Sequence, residues 1–390
     1  MLQRNALLFK FYYFFWRFKP LAALTIVYFA QVMQSYTMAT AVFAVFNISY
    51  ALAKIPSGLI SDKIGRKPVI IMANILTSMA FFLLAFAGQF EIKWFLFAYA
   101  FLWGCGEALC VGTIEALMYE TTESLGQTDK FYQVYSKSMY FDQFGCAFGA
   151  FWAMVITYFL PLQFVAWLSV LPPCVQLFVS FFFVEPEIKK KSVSFSFKDM
   201  LLAFSQFKQN KKLLLYSFAD IYFSTLGDIS HRFESAYFKL FAGDWIINLA
   251  RMFKHFCGML GAYCVSYFKK FAGAEIYFTS IASNVFIRTV ALSLNNACTP
   301  FVHMFINFFY ATASVAKTDI LQHEFSPEYR ATAQSFLQFI KGLYMAGLML
   351  LLGFFADFAG IYPTMILLVI LRIIGLLILY ILRKMHAVSF

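Results

Sequence analysis

Twelve stretches of roughly twenty residues, each dominated by apolar side chains, run almost end to end along this chain. They fall at 9–33, 37–59, 67–88, 93–118, 132–158, 162–184, 212–236, 244–267, 273–293, 298–318, 331–355 and 361–382. A helix needs about 20 apolar residues to cross the hydrocarbon core of a bilayer. The pattern therefore predicts an all-α membrane protein of twelve transmembrane helices. Charged residues make up 13% of the chain, against roughly 25% in an ordinary soluble protein. The seventh, eighth and tenth stretches are the weakest, because charges interrupt them. The apolar run from Leu7 resembles a signal peptide, but it carries Arg17 and Lys19 and no small-residue cleavage site, so it reads as the first helix.

The longest polar stretch, Glu185 to Lys212, divides the spans evenly. It holds Lys189, Lys190, Lys191, Lys198, Lys208, Lys211 and Lys212, and residues 195–207 read as a short amphipathic helix on the membrane surface. The expected organisation is a six-helix bundle over 1–184, a cytoplasmic linker over 185–211, and a second six-helix bundle over 212–390. Loops on one side carry Arg4, Lys10, Lys63, Arg66, Lys67, Lys130, the linker lysines, Lys269, Lys270, Arg330, Arg383 and Lys384. The opposite loops carry only Lys93 and Lys239. Positive charge marks the cytoplasmic side, so both termini and the linker are expected there.

The net charge of +11 is spread over these loops rather than gathered in one face or tail. That distribution speaks against a nucleic-acid partner. The seven cysteines lie in or beside apolar runs, with no CxxC or Cys/His ligand spacing, and read as small packing residues. The sequence has no phosphate-binding GxxxxGK[ST] loop, HExxH or GxSxG. His231, His255 and His303 lie on three different spans. No cofactor, metal site or enzymatic activity is expected.

After the second span the chain reads Gly58-Leu-Ile-Ser-Asp62-Lys63-Ile-Gly65-Arg66-Lys67. Gly58 suits a close helix approach and Gly65 a tight turn. Asp62 is placed to meet Arg66 or a helix N-terminus. This loop resembles the signature that joins helices two and three in the major facilitator superfamily. Two further stretches resemble a branch of that superfamily, Gly106 to Glu120 in the fourth span and Pro327 to Ser335 entering the eleventh. The second-half counterpart of the loop is reduced to Tyr267-Phe268-Lys269-Lys270. The fifth span has Gly145 and Gly149 but no Gly-Pro pair, and the fourth has Glu107 instead of the usual Arg; both depart from drug/proton antiporters. The resemblance implies two rocking halves latched by the loop residues Gly58, Asp62, Lys63, Gly65, Arg66 and Lys67. It also implies that helices one, four, seven and ten line a central cavity, with nine and twelve peripheral.

Ionisable groups at membrane depth are costly, about 3 kcal/mol each on insertion scales, and are functional candidates by default. Glu107 and Asp142 are the candidates for proton coupling. Arg17, Lys19, Asp220, Asp228, Lys254, His303 and Lys341 are the candidates for solute binding, with Tyr13, Trp16, Trp103 and Tyr140 as aromatic lining. Glu107 and Glu115, eight residues apart, are expected on one face of one helix. His231 to Glu234 are expected to snorkel to the interface. Arg288 and Arg372 are expected on peripheral helices, Arg372 in a structural role.

These expectations describe a monomeric secondary transporter in a bacterial inner membrane. It would take a small organic anion, polycarboxylates and metal chelates (siderophores) included, with protons as coupling ion and alternating access as mechanism. A proton-driven efflux carrier for amphipathic compounds and a non-transporting sensor on the same fold are the alternatives.

Overall fold

The computed structural model describes residues 2–186, 211–264, 273–324 and 330–385. The expected amphipathic helix at 195–207 and the Tyr267–Lys270 motif lie outside them, as does the start of the Pro327–Ser335 stretch. Among the described residues every regular element is helical. The α-helices are α1 Asn5–Arg17, α2 Thr25–Met33, α3 Tyr36–Ile64, α4 Arg66–Phe90, α5 Lys93–Cys110, α6 Thr113–Ser124, α7 Phe131–Phe159, α8 Gln163–Leu168 and α9 Leu171–Phe181. After the linker come α10 Lys211–Phe238, α11 Asp244–Cys264, α12 Gly273–Leu294, α13 Thr299–His303, α14 Ile306–Glu324, α15 Arg330–Ala359 and α16 Ile361–Met385. Eight stretches of described helix are long and apolar enough to cross a membrane. The first, seventh, eighth and tenth expected spans are not among them; the first and tenth are broken, and charges interrupt the seventh, eighth and tenth.

The breaks have local causes. Pro20 cannot donate a backbone hydrogen bond, and the chain passes from α1 through a short 3₁₀ turn, Pro20–Ala23, into α2. The fourth span breaks between α5 and α6, where Val111 is extended and Gly112 takes φ +85°. The groups freed there find partners: the Val111 carbonyl accepts from Lys54 Nζ, and the Gly112 amide donates to Glu115 Oε2 at 2.7 Å. Interrupted backbone at membrane depth is tolerated only with such partners.

The chain forms two compact units, one of residues 1–195 with 346–353 and the other of 196–345 with 354–390. In the first unit Phe9, Tyr12, Tyr13 and Trp16 of α1 are buried in one apolar cluster with residues of α4, α5 and α6. Asn5 closes this cluster. Its amide donates to the Val184 carbonyl at 2.8 Å and its oxygen accepts from the Val184 amide at 3.0 Å. A Cβ on Gly145 of α7 would lie 2.2 Å from the Phe14 carbonyl, so only glycine lets α7 approach the backbone of α1 there. In the second unit Tyr216, Ala219 and Phe223 of α10 meet Tyr277, Ile281 and Val285 of α12, with Leu379 of α16.

Candidate functional site

In the first unit the intramembrane carboxylates Asp142 and Glu107 each meet a cation. Arg17, the last residue of α1, places Nε 2.8 Å from Asp142 Oδ1 of α7. Gln143 Nε2 donates to the other Asp142 oxygen at 3.1 Å. Lys19 follows the end of α1 rather than lying within it, and its Nζ is 3.6 Å from Glu107 Oε2. Two indoles donate to the Glu107 carboxylate, Trp16 Nε1 at 3.1 Å and Trp103 Nε1 at 3.2 Å. The Lys19 ammonium also sits 4.9 Å from the Trp103 ring centroid, within cation–π range. Glu107 thus stands one turn before the α5–α6 break. Because of that break Glu115 is not on a continuous face with it; Glu115 caps α6 and accepts from the Tyr13 hydroxyl at 3.1 Å. Tyr140 is exposed and joins neither pair.

The loop cluster has its own geometry. Gly65 takes φ +104°, and a Cβ there would meet the Glu185 carboxylate at 2.5 Å. Glu185 accepts from the backbone amides of Arg66 at 2.6 Å and Lys67 at 3.4 Å, an anion on the N-terminus of α4. Arg66 pairs with Asp62 at 2.6 Å and with Glu120 at 3.0 Å. Lys63 is exposed in the last turn of α3. A Cβ on Gly58 would meet nothing within 4 Å, so no close approach in this structure needs that glycine. Glu120 and Glu185 were read in the sequence only as the ends of longer stretches and not as partners of this loop, although Glu185 directly follows the sixth span.

The second unit holds a cavity of about 240 Å³ between α10, α11, α12, α14 and α16. Asp220, Asp228 and Lys254 line it. So do Arg288 and Arg372, which corrects their expected peripheral placement. Glu234 is buried beside it and does not snorkel. Its carboxylate takes Lys254 Nζ at 2.6 Å, His231 Nδ1 at 3.0 Å, Arg288 Nη1 at 3.3 Å and His303 Nε2 at 3.6 Å. Lys341 of α15 pairs with Asp228 at 2.8 Å. Asn284 completes the cluster. Its Oδ1 accepts from Arg372 Nη1 at 2.9 Å and from Arg288 Nε at 3.1 Å, while its own amide donates to the Ile306 carbonyl at 3.1 Å.

The arrangement pairs solute-sized space with fixed charge. Among the described residues, no group of His, Cys, Asp and Glu is placed to hold a metal ion.

Similarity to known proteins agrees with this architecture. The family model described as Major Facilitator Superfamily matches residues 7–383. No curated protein sequence matches. The crystal structure of the nucleoside transporter NupG is similar over 98% of this chain and 99% of that one, with TM-score 0.80 and 13% identity. A bacterial homologue of the human lysosomal transporter Spinster, inward-facing and unoccupied, matches at TM-score 0.74 and 14% identity over 97% and 96%. A D-xylose–proton symporter matches at TM-score 0.72 and 11% identity, over 96% of each chain. At these identities the likeness is one of fold. With the family match over nearly its whole length, the chain is a multi-pass membrane protein that belongs to the Major Facilitator Superfamily.

Proposed function

We propose that the chain is a secondary active transporter of a small organic anion, working by alternating access in a bacterial inner membrane with both termini cytoplasmic. The observation that carries the anion is the charge around the cavity of the second unit. Among the described residues that line it or pair with its lining, four cations (Lys254, Arg288, Lys341 and Arg372) face three carboxylates (Asp220, Asp228 and Glu234). A positive surplus in a low-dielectric pocket attracts and holds anions. The nucleoside and xylose named for two of the similar structures are uncharged and would leave that surplus unmet. The volume lies below the roughly 300–1,000 Å³ of drug-sized ligand sites, which favours a metabolite over a bulky amphipathic compound.

Proton coupling is assigned to Glu107 and Asp142. Each is a carboxylate with one cationic partner at membrane depth, so a proton can replace the partner when the halves rearrange. The ordered loop around Gly65 and Arg66 favours a moving carrier over a static sensor. The test is solute accumulation in proteoliposomes under an imposed pH gradient. E107Q or D142N is expected to cut it about tenfold or more, the equivalent of 1.4 kcal/mol. Unchanged accumulation in both variants removes the proton relay.

A further inference from the structure

Among the described residues Arg372 is the one cavity-lining cation with no carboxylate in ion-pair contact. Among the described residues none lies within ion-pair distance of it. Lys341 is matched by Asp228, and Lys254 and Arg288 share Glu234. Arg372 is only 4% exposed. Its Nη1 donates to Asn284 Oδ1 at 2.9 Å and its Nη2 reaches the Phe223 carbonyl at 3.5 Å. Its Nε, although buried, has no hydrogen-bond partner. A buried guanidinium with an unpartnered donor and no carboxylate in ion-pair contact is a costly arrangement in a protein interior.

Asn284 makes the arrangement more specific. One amide oxygen accepts from two guanidinium groups, Arg372 and Arg288. It holds two like charges close together, and of the two only Arg288 has a carboxylate in contact, Glu234 at 3.3 Å. The Asn284 amide is itself fixed on the Ile306 carbonyl, so the oxygen cannot turn away. Gly227 gives Arg372 its place, since a Cβ there would stand 2.9 Å from Arg372 Nη2.

We infer that Arg372, set by Asn284 and flanked by Arg288, is the subsite for a single carboxylate group of the solute, contained within the second unit. The planar guanidinium edge, with its unpartnered Nε, matches a carboxylate. One negative charge balances the surplus of four cations over three carboxylates counted among the described residues, so the solute class is a monocarboxylate. Ser224, Ser280, Tyr277 and Tyr310 line the same cavity and make its wall partly polar. This assignment rests on the proposed anion transport and narrows its substrate; it removes the polycarboxylates from the class expected.

The test is the Tm of the detergent-purified full chain with sodium acetate, lactate, gluconate, succinate or phosphate, each against matched chloride. A monocarboxylate is expected to raise Tm more than succinate or phosphate does. Arg372→Met is expected to melt at or above the unliganded wild type, because it removes an unmatched buried charge. It is also expected to weaken the carboxylate's apparent affinity about thirtyfold or more. A fall in Tm for unliganded Arg372→Met would mark Arg372 as structural and overturn the subsite. So would an undiminished carboxylate response in that variant, the absence of any carboxylate response in the wild type, or a larger response to succinate or phosphate. Thermal shift reads binding alone. A carboxylate that binds but is never accumulated by proteoliposomes sinks the transport proposal and leaves the subsite standing.

Discussion

Arg17 and Asp142 form a 2.8 Å ion pair in which the partners are unequally buried: the Asp142 side chain is 4% exposed and the Arg17 side chain 53%. The asymmetry decides which half of the pair is costlier to remove. R17A strands a buried carboxylate, a loss of about 3–5 kcal/mol. D142N leaves a half-exposed arginine, and its loss is expected to be the smaller of the two. Chemical denaturation of the two variants in the same detergent is expected to rank R17A well below D142N. Equal midpoints would mean that both partners are equally able to escape.

The loop after α3 contains two glycines with opposite expectations. G65A forces a side chain to φ +104° and into the Glu185 carboxylate; such backbone strain alone costs about 1–3 kcal/mol. G58A adds a methyl group to an open helical position and is expected to be neutral or stabilising by up to about 1 kcal/mol. Melting curves of the two variants check both signs at once. E185A, which removes the anion from the N-terminus of α4, is expected to cost about 0.5–2 kcal/mol.

Glu234 holds the basic cluster of the second unit together. E234Q leaves Lys254 and Arg288 without a counter-charge, and is expected to cost about 3–5 kcal/mol. The pairing itself is checked by a double-mutant cycle with R288M, where the second change is expected to recover at least about 1 kcal/mol. Strict additivity would show that the two groups do not interact.

Gly227 positions Arg372 without bonding to it. G227A is expected to change the unliganded Tm little, because the flexible arginine end can move aside, yet to weaken the carboxylate response several-fold. A variant that keeps the full response would show that Arg372 need not occupy its present place.

Eight of the twelve spans were legible because hydrophobic length is a direct reading of bilayer thickness, and the loop from Gly58 to Lys67 because its residue types are tied to one turn. The charge pairs were not. Arg17 and Asp142 were singled out separately, and their contact depends on Gly145 admitting α7 against α1, a relation between helices that periodicity does not encode. Pro20 offered a signal for the first break that the reading of 9–33 as one span passed over, whereas Gly112 could equally have been a packing glycine. Arg288 and Arg372 were misplaced because helix number says nothing about how far a long side chain reaches. Glu234 was misread since a charge near a span end usually snorkels; here Lys254, Arg288 and two histidines surround it.

Uptake by proteoliposomes carrying the wild-type chain tests the central claim most directly. The probes are radiolabelled lactate, gluconate, succinate, uridine and tetraphenylphosphonium, each offered under an imposed pH gradient. A monocarboxylate is predicted to accumulate beyond its equilibrium level, and to drain when a protonophore collapses the gradient. Accumulation of uridine or tetraphenylphosphonium with none of any carboxylate, or equilibration that ignores the gradient, would contradict a proton-coupled anion carrier.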